Sequence, residues 1–185
     1  MRVIAGSAKG RHLKTPRGRT LRPTSDKVKT AFFNIVGSLL PDSFFLDLFA
    51  GTGSIGIEAM SRGAKRCVFV EKDAAAVKLI KKNIQLIEDN PSCSIFHNDI
   101  KKAIKILSQQ NESFSIIYMD PPYNYRDVGS VVKEVYEGGL LRENGLLCVE
   151  RSKRDALLWV KFLTLPLWQK KTYGDTSLLL FKKQY

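Results

Sequence analysis

Asp120-Pro121-Pro122-Tyr123 follows directly on the apolar run Ile116-Ile117-Tyr118-Met119. A buried strand at that run would deliver a carboxylate, two prolines and an aromatic ring to one rim of a sheet. Prolines fix the local backbone, so the Asp120 side chain and the Pro121 carbonyl can present two acceptors in a set geometry. Two convergent acceptors match the two N–H groups of an exocyclic amine. Tyr123 offers a π-face on which a base can stack, a contact worth roughly 1–3 kcal/mol in nucleic-acid sites. An aromatic amine is a poor nucleophile, because its lone pair is delocalised into the ring. Accepting both of its hydrogens favours pyramidalisation and frees that lone pair. Asp120 is then the electrostatic partner of the positive charge that develops on nitrogen, and an acceptor for the proton it sheds.

A second constellation precedes it, Asp47-Leu48-Phe49-Ala50-Gly51-Thr52-Gly53-Ser54-Ile55-Gly56. Glycines at 51, 53 and 56, between a strand and a helix, allow a tight turn and close approach of backbone to a nucleotide. Glu71 ends the next apolar run, placed to accept from both hydroxyls of a ribose. Two cofactors fit this pattern, a nicotinamide dinucleotide and S-adenosylmethionine. Asp47 tilts the choice towards the second: a carboxylate at the strand end suits the cationic amino group of methionine and would repel a pyrophosphate. Asn98 and Asp99, after the third apolar run, are placed to bind the adenine amino group, and Asp99 also suits a helix N-cap. With only His12 and His97 in the chain, neither a metal site nor a histidine-based triad is expected.

The elements that must carry these groups follow from periodicity. Apolar runs at 44–49, 67–70, 93–97, 114–119 and 146–149 alternate with helical patterns near 54–62, 74–88, 99–109 and 127–138. Strands apolar on both faces, alternating with helices, indicate a parallel sheet in a doubly wound α/β layer. Two further strands, at 162–165 and 177–181, have no helix between them. A direct turn through Gly174-Asp175 requires antiparallel pairing. The expected fold is thus α/β, a Rossmann-like, mostly parallel seven-stranded sheet with an antiparallel C-terminal hairpin, preceded by a short basic N-terminal extension. A helix after Thr24 or Ser25, with Val28, Phe32, Phe33, Ile35 and Val36 on one face, closes that extension. The expected division is a basic arm with its capping helix over 1–40 and a cofactor-binding domain over 41–185. Trp159, Trp168, Phe162, Leu163 and Leu165 read as core and hairpin packing, Glu150 as a partner for Arg151 or a neighbouring arginine. The stretch 173–177 is not assigned to the site.

Charge points to the partner. The 185 residues carry a formal +12, and it is segregated. Residues 1–30 hold nine basic side chains against one acid, residues 150–185 eight against three, and the rest thirteen against fourteen. A near-neutral body with basic ends attracts polyanions, so nucleic acid is the expected partner. Lys9, Arg11, Lys14, Arg17, Arg19 and Arg22 in the Gly- and Pro-rich stretch 5–23 are the candidate contacts. That stretch, poor in apolar anchors, reads as an extended arm or loose hairpin. On this division, neutralising the arm should weaken nucleic-acid binding and leave cofactor affinity unchanged. No run is apolar enough for a membrane span or signal peptide. Cys67, Cys93 and Cys148 read as reduced thiols of a cytoplasmic protein.

Asp-x-Phe-x-Gly-x-Gly at 47–53 with Asp-Pro-Pro-Tyr at 120–123 resembles the class I S-adenosylmethionine-dependent methyltransferases that act on exocyclic amines. The segments Arg2-Val3-Ile4-Ala5-Gly6, Lys9-Gly10-Arg11 and Leu21-Arg22-Pro23-Thr24-Ser25-Asp26-Lys27-Val28, with Phe33-Asn34, narrow the resemblance. With 47–58 and Ser61-Arg62-Gly63-Ala64, they are similar to the bacterial small-subunit (16S) ribosomal RNA guanine-N2 methyltransferases. The resemblance spans nearly the whole chain and is weakest between 74 and 112. It implies cofactor binding by the 47–53 loop (Asp47, Phe49, Gly51 and Gly53), Glu71, Asn98 and Asp99, and catalysis by Asp120, Pro121, Pro122 and Tyr123. It also implies a monomer whose arm engages 16S rRNA in an assembled or assembling small subunit. Tyr123 departs from the Phe often found there, and Asp-Pro-Pro-Tyr is shared with adenine-N6 methyltransferases. A DNA enzyme is disfavoured by the lack of chain for a sequence-reading domain, and a protein glutamine methyltransferase by the basic flanks and by Asp120, where Asn is usual. A dehydrogenase and a non-enzymatic RNA-binding assembly factor on the same scaffold are the remaining alternatives.

Overall fold

In the computed structural model, which describes residues 1–16, 26–87 and 92–183, seven strands form one sheet. They are β1 Phe44–Leu48, β2 Arg66–Glu71, β3 Ser92–His97, β4 Phe114–Met119, β5 Leu141–Ser152, β6 Leu167–Tyr173 and β7 Thr176–Lys182. The helices are α1 Asp26–Val36, α2 Ser54–Ser61, α3 Ala74–Ile84, α4 Ile100–Gln109 and α5 Val128–Glu137. Strand order is β3-β2-β1-β4-β5-β7-β6, with β1 to β5 parallel and β7 antiparallel to both neighbours. This is a Rossmann-like, mostly parallel sheet with an antiparallel C-terminal hairpin, as the alternation of runs predicts.

Alternate residues along each strand feed two cores. Phe45, Tyr118, Cys148 and Leu180 face a cluster shared with Phe32 of α1, Ile57 of α2 and Ile80 of α3. Leu46, Met119, Val149 and Leu179 face one shared with Ile104 of α4 and Val132 of α5. Among the described residues no helix is long and apolar enough to cross a membrane. All three cysteines are free.

The predicted strand at 162–165 is not formed. Residues Leu158–Phe162 make a 3-10 turn, and Phe162 is 83% exposed rather than packed in a core. The strand partner of β7 is instead Leu167–Tyr173, whose Gln169-Lys170-Lys171 are paired to Leu180, Leu179 and Leu178. An edge strand of an antiparallel pair faces water, so it carries charge where a search for apolar runs finds nothing. Trp168 on this edge is half exposed, with Lys182 over its ring. The turn through Gly174-Asp175 is as predicted, with Gly174 at φ 60°.

The N-terminal stretch is a hairpin, closed by an Arg2–His12 bridge and by backbone bonds between Val3 and both Gly10 and Arg11. It is docked, not loose. Val3, Ala8 and Leu13 are buried in the same cluster as Ile57 and Phe69. Gly6 lies so close to α2 that a Cβ there would fall 1.7 Å from the Ser61 carbonyl oxygen. Arg17, Arg19 and Arg22, and the cap candidates Thr24 and Ser25, lie outside the described residues.

Candidate active site

In an open parallel sheet, ligands bind beyond the carboxyl ends of the strands where the winding reverses. Here that point lies between β1 and β4, since β2 and β3 lie to one side and β5 to the other. A cavity of about 910 Å³ occupies this place. Asp47, Phe49, Gly51, Glu71, Asp120 to Tyr123 and Glu150 line it. The two motifs, 73 residues apart in sequence, therefore open onto one space.

The first loop is held by its own acids. Gly53 precedes α2 with φ 77°, and Phe49 itself is left-handed at φ 62°, a conformation that costs a non-glycine residue about 1–2 kcal/mol. Asp47 is 2% exposed, and its Oδ2 accepts from the Gly56 amide at 2.9 Å, a free donor in the first turn of α2. Burial pushes its carboxyl from 3.8 up to about 7, the Gly56 N–H opposes the rise, and the charge of Glu71 adds to it. Glu71 accepts from Gly51 N at 2.8 Å through Oε2, and from the amides of Lys72 and Asp73 through Oε1. These three bonds leave acceptor capacity on a carboxylate, which has about four lone-pair sites. Gly56 lets α2 press on the sheet: a Cβ there would stand 2.3 Å from Phe69 Cε1 and 2.7 Å from Cys67 Sγ.

Asn98 and Asp99 are placed differently. Asp99 caps α4, accepting from Lys101 N at 3.0 Å, and the Asn98 amide donates to the Glu71 carbonyl. Ile100, and neither of these two, is among the residues lining the cavity. Gly53 also lies off the cavity wall.

The second loop leaves β4 with the Asp120 amide donating to Leu48 O of β1. A turn closed by Tyr125 N–H on Pro122 O at 2.8 Å follows. Tyr125 meets Phe49 edge-on at 5.0 Å, which joins the two loops. Tyr123 is 54% exposed at the mouth of the cavity it lines. Arg151, 7% exposed, points Nη1 and Nη2 at the Pro122 and Tyr123 carbonyls, each at 3.4 Å, and is paired with Asp155. Under this loop the Tyr118 hydroxyl donates to Glu150. Among the described residues Glu150 thus meets a phenol, while Arg151, the arginine next to it in sequence, pairs with Asp155. Burial, with Glu150 adjoining, pushes the Tyr118 hydroxyl well above its usual range, so it stays protonated as a donor.

A family model, described as conserved hypothetical protein 95, matches residues 1–182. The chain belongs to that family. Its relative in Haemophilus influenzae, ribosomal RNA small subunit methyltransferase D, is 34% identical over 186 residues, 98% of this chain and 93% of that one. The solved structure of Escherichia coli yhhF aligns with a TM-score of 0.84 at 28% identity, covering 100% of this chain and 98% of that one. SMU.776, solved in complex with S-adenosylhomocysteine, shares the fold with a TM-score of 0.70 at 16% identity, over 85% of this chain and 49% of that one.

In this member of the family, several groups at the cavity were not singled out by the sequence. Met1, Thr15 and Pro16 line it from the N-terminal hairpin, Lys27 from α1, and Tyr173 to Thr176 from the β6–β7 turn. The hairpin is fastened by Glu58, 0% exposed, which accepts from Ile4 N and Ala5 N and pairs with Lys29 at 3.2 Å and Arg62 at 2.8 Å. A glutamate inside an apolar helical stretch was the available signal, since a buried acid needs partners from elsewhere. Lys9 and Lys14 are exposed on the hairpin and Arg11 is half-buried. Among the described residues no cluster of His, Cys, Asp and Glu could hold a metal ion.

Proposed function

We propose that this chain transfers a methyl group from S-adenosylmethionine to the exocyclic N2 amine of a guanine in 16S rRNA, in the assembled or assembling small subunit. The observation that carries the reading is one cavity bounded by acids on both sides, Asp47 and Glu71 at the glycine loop and Asp120 in the Asp-Pro-Pro-Tyr loop. The name of the Haemophilus influenzae relative supports rRNA as the substrate. Cavity size supports a nucleoside cofactor, as small-molecule sites run to about 300–1,000 Å³.

Bound S-adenosylmethionine supplies an electrophilic methyl on a sulfonium. Asp47 receives the ammonium of its methionine half, and Glu71 the ribose hydroxyls through the lone pairs its three amide bonds leave. Gly51 and Phe49 bound the nucleoside. Asn98 and Asp99 serve the adenine end through the β3–α4 turn, next to Ile100. Asp120 and the Pro121 carbonyl accept the two N–H bonds of the guanine amine, Pro122 stiffens the turn, and Tyr123 stacks on the base. As the N–C bond forms from the nitrogen lone pair, the S–C bond breaks with its pair staying on sulfur, and Asp120 takes the proton the nitrogen sheds. Lys9, Arg11 and Lys14, with Arg17, Arg19 and Arg22 continuing the series, hold phosphates outside, and the enzyme acts as a monomer.

The test is mass spectrometry of nucleosides from small-subunit particles incubated with enzyme and labelled cofactor. N2-methylguanosine is expected; N6-methyladenosine would move the substrate to adenine, and no labelled nucleoside would refute the reading. Asp120→Ala should retain cofactor affinity by calorimetry and lose transfer.

A further inference from the structure

Asn83 lies on α3, well outside both motifs, and is 0% exposed. Its Oδ1 accepts from Lys14 N at 2.8 Å, and its Nδ2 donates to Lys14 O at 3.0 Å and to Thr52 O at 3.0 Å. One carboxamide thus holds both backbone polar groups of a hairpin residue and the carbonyl between Gly51 and Gly53. Both hydrogens of Nδ2 are used, so the amide cannot turn to follow one partner without releasing the other. Thr52 makes a second link, its hydroxyl 3.6 Å from Met1 Sδ. Beyond Lys14, Thr15 and Pro16 line the same cavity as Gly51 and Thr52 of the glycine loop. The Lys14 side chain itself points to solvent, on the same hairpin as Lys9.

We infer that Asn83 is a positioning residue that couples cofactor binding to RNA binding through the N-terminal hairpin. Cofactor seated on Gly51 and Thr52 favours the loop position in which Thr52 O meets Nδ2, and so favours the docked hairpin. RNA phosphates on Lys9 and Lys14 favour that same docked state. Two ligands that select one conformation strengthen each other's binding by equal factors. The inference rests on the RNA reading above, and it replaces the expectation that the arm acts independently of the cofactor.

Two measurements on the full chain test it, with S-adenosylhomocysteine as cofactor probe and a fragment of 16S rRNA as RNA probe. In hydrogen exchange, the probe should slow exchange of the Lys14 amide; an unchanged rate overturns the Asn83 link. In fluorescence anisotropy, RNA should bind about fivefold or more tightly when the cofactor probe is saturating, and Asn83→Ala should bring that ratio close to one. A ratio that Asn83→Ala leaves intact overturns the proposal, because a merely structural residue would lower both affinities and not their coupling. RNA affinity indifferent to the probe in the unaltered protein overturns the coupling and leaves the methyltransferase reading standing. RNA that binds in neither state refutes RNA recognition itself. Asn83→Asp, which keeps Oδ1 for Lys14 N and loses both donors, repeats the ratio test if the alanine variant does not fold.

Discussion

Replacing Asp47 by asparagine removes one buried charge while keeping the shape of the side chain and an oxygen for the Gly56 amide. In the ligand-free protein that charge is costly, since the carboxyl sits at about 7 against an ordinary value of 3.8. Between those values the folded state binds a proton that the unfolded state has lost, so stability falls as pH rises through the window. At about 1.36 kcal/mol per pH unit, the ceiling on the loss at pH 8 is about 4 kcal/mol. Asp47→Asn should therefore be more stable than the unaltered protein at pH 8 by about 1–4 kcal/mol, with a higher Tm by roughly 2–4 °C per kcal/mol. At pH 5 the folded carboxyl is protonated, and the advantage should shrink by more than half. Thermal unfolding followed by circular dichroism at both pH values reads this directly. The same protonation must be undone to receive a cation, so S-adenosylhomocysteine affinity should fall by up to about tenfold per pH unit below 7. In Asp47→Asn that affinity should be weaker and flat with pH. An asparagine variant less stable at pH 8, or an affinity in the unaltered protein that ignores pH, would refute the reasoning.

Gly56→Ala would push a methyl into Phe69 and Cys67, and urea unfolding should show a loss of about 1–3 kcal/mol. Glu58→Gln leaves Lys29 buried without its counter-ion, at a cost of about 3–5 kcal/mol, and limited proteolysis should cut the N-terminal hairpin first. Arg151→Ala frees the Pro122 and Tyr123 carbonyls, so kcat should drop about tenfold or more, as misplacement of reacting groups does, while cofactor affinity holds.

The sheet was legible because each buried parallel strand is a short apolar run whose both faces meet helices, and the two motifs mark its rim. Where a strand meets water on one face the signal weakens. β6, with Gln169-Lys170-Lys171, was invisible for that reason, and the apolar residues at 162–165 drew the assignment to the wrong place. The roles of Asp47 and Glu71 were half legible. Position along the chain put both at strand ends, but nothing in it reveals that Gly56 and Gly51 amides already occupy them. The hairpin was misread because its anchors are sparse: three small or medium apolar residues at 3, 8 and 13, together with backbone bonds to Glu58, Ser61 and Asn83. Such contacts depend on residues more than 50 positions away and leave no local period.

The division of charge now has a physical sense. A chain of net +12 surrounds a cavity lined by Asp47, Glu71, Asp120 and Glu150, and on the proposed reading it must bind a cation inside and a polyanion outside. Bare carboxylates within a Debye length of about 8–10 Å would repel the phosphates that the hairpin attracts. The structure mutes three of the four. Glu71 is satisfied by three backbone amides, Glu150 by a phenol, and Asp47 is about half protonated at neutral pH. Cofactor binding would ionise Asp47 only as it brings the compensating positive charge, so the field presented to RNA changes little on loading. Coupling between the two ligands must then pass through the hairpin and Asn83 rather than through charge, and it should persist in salt concentrations that weaken RNA binding itself.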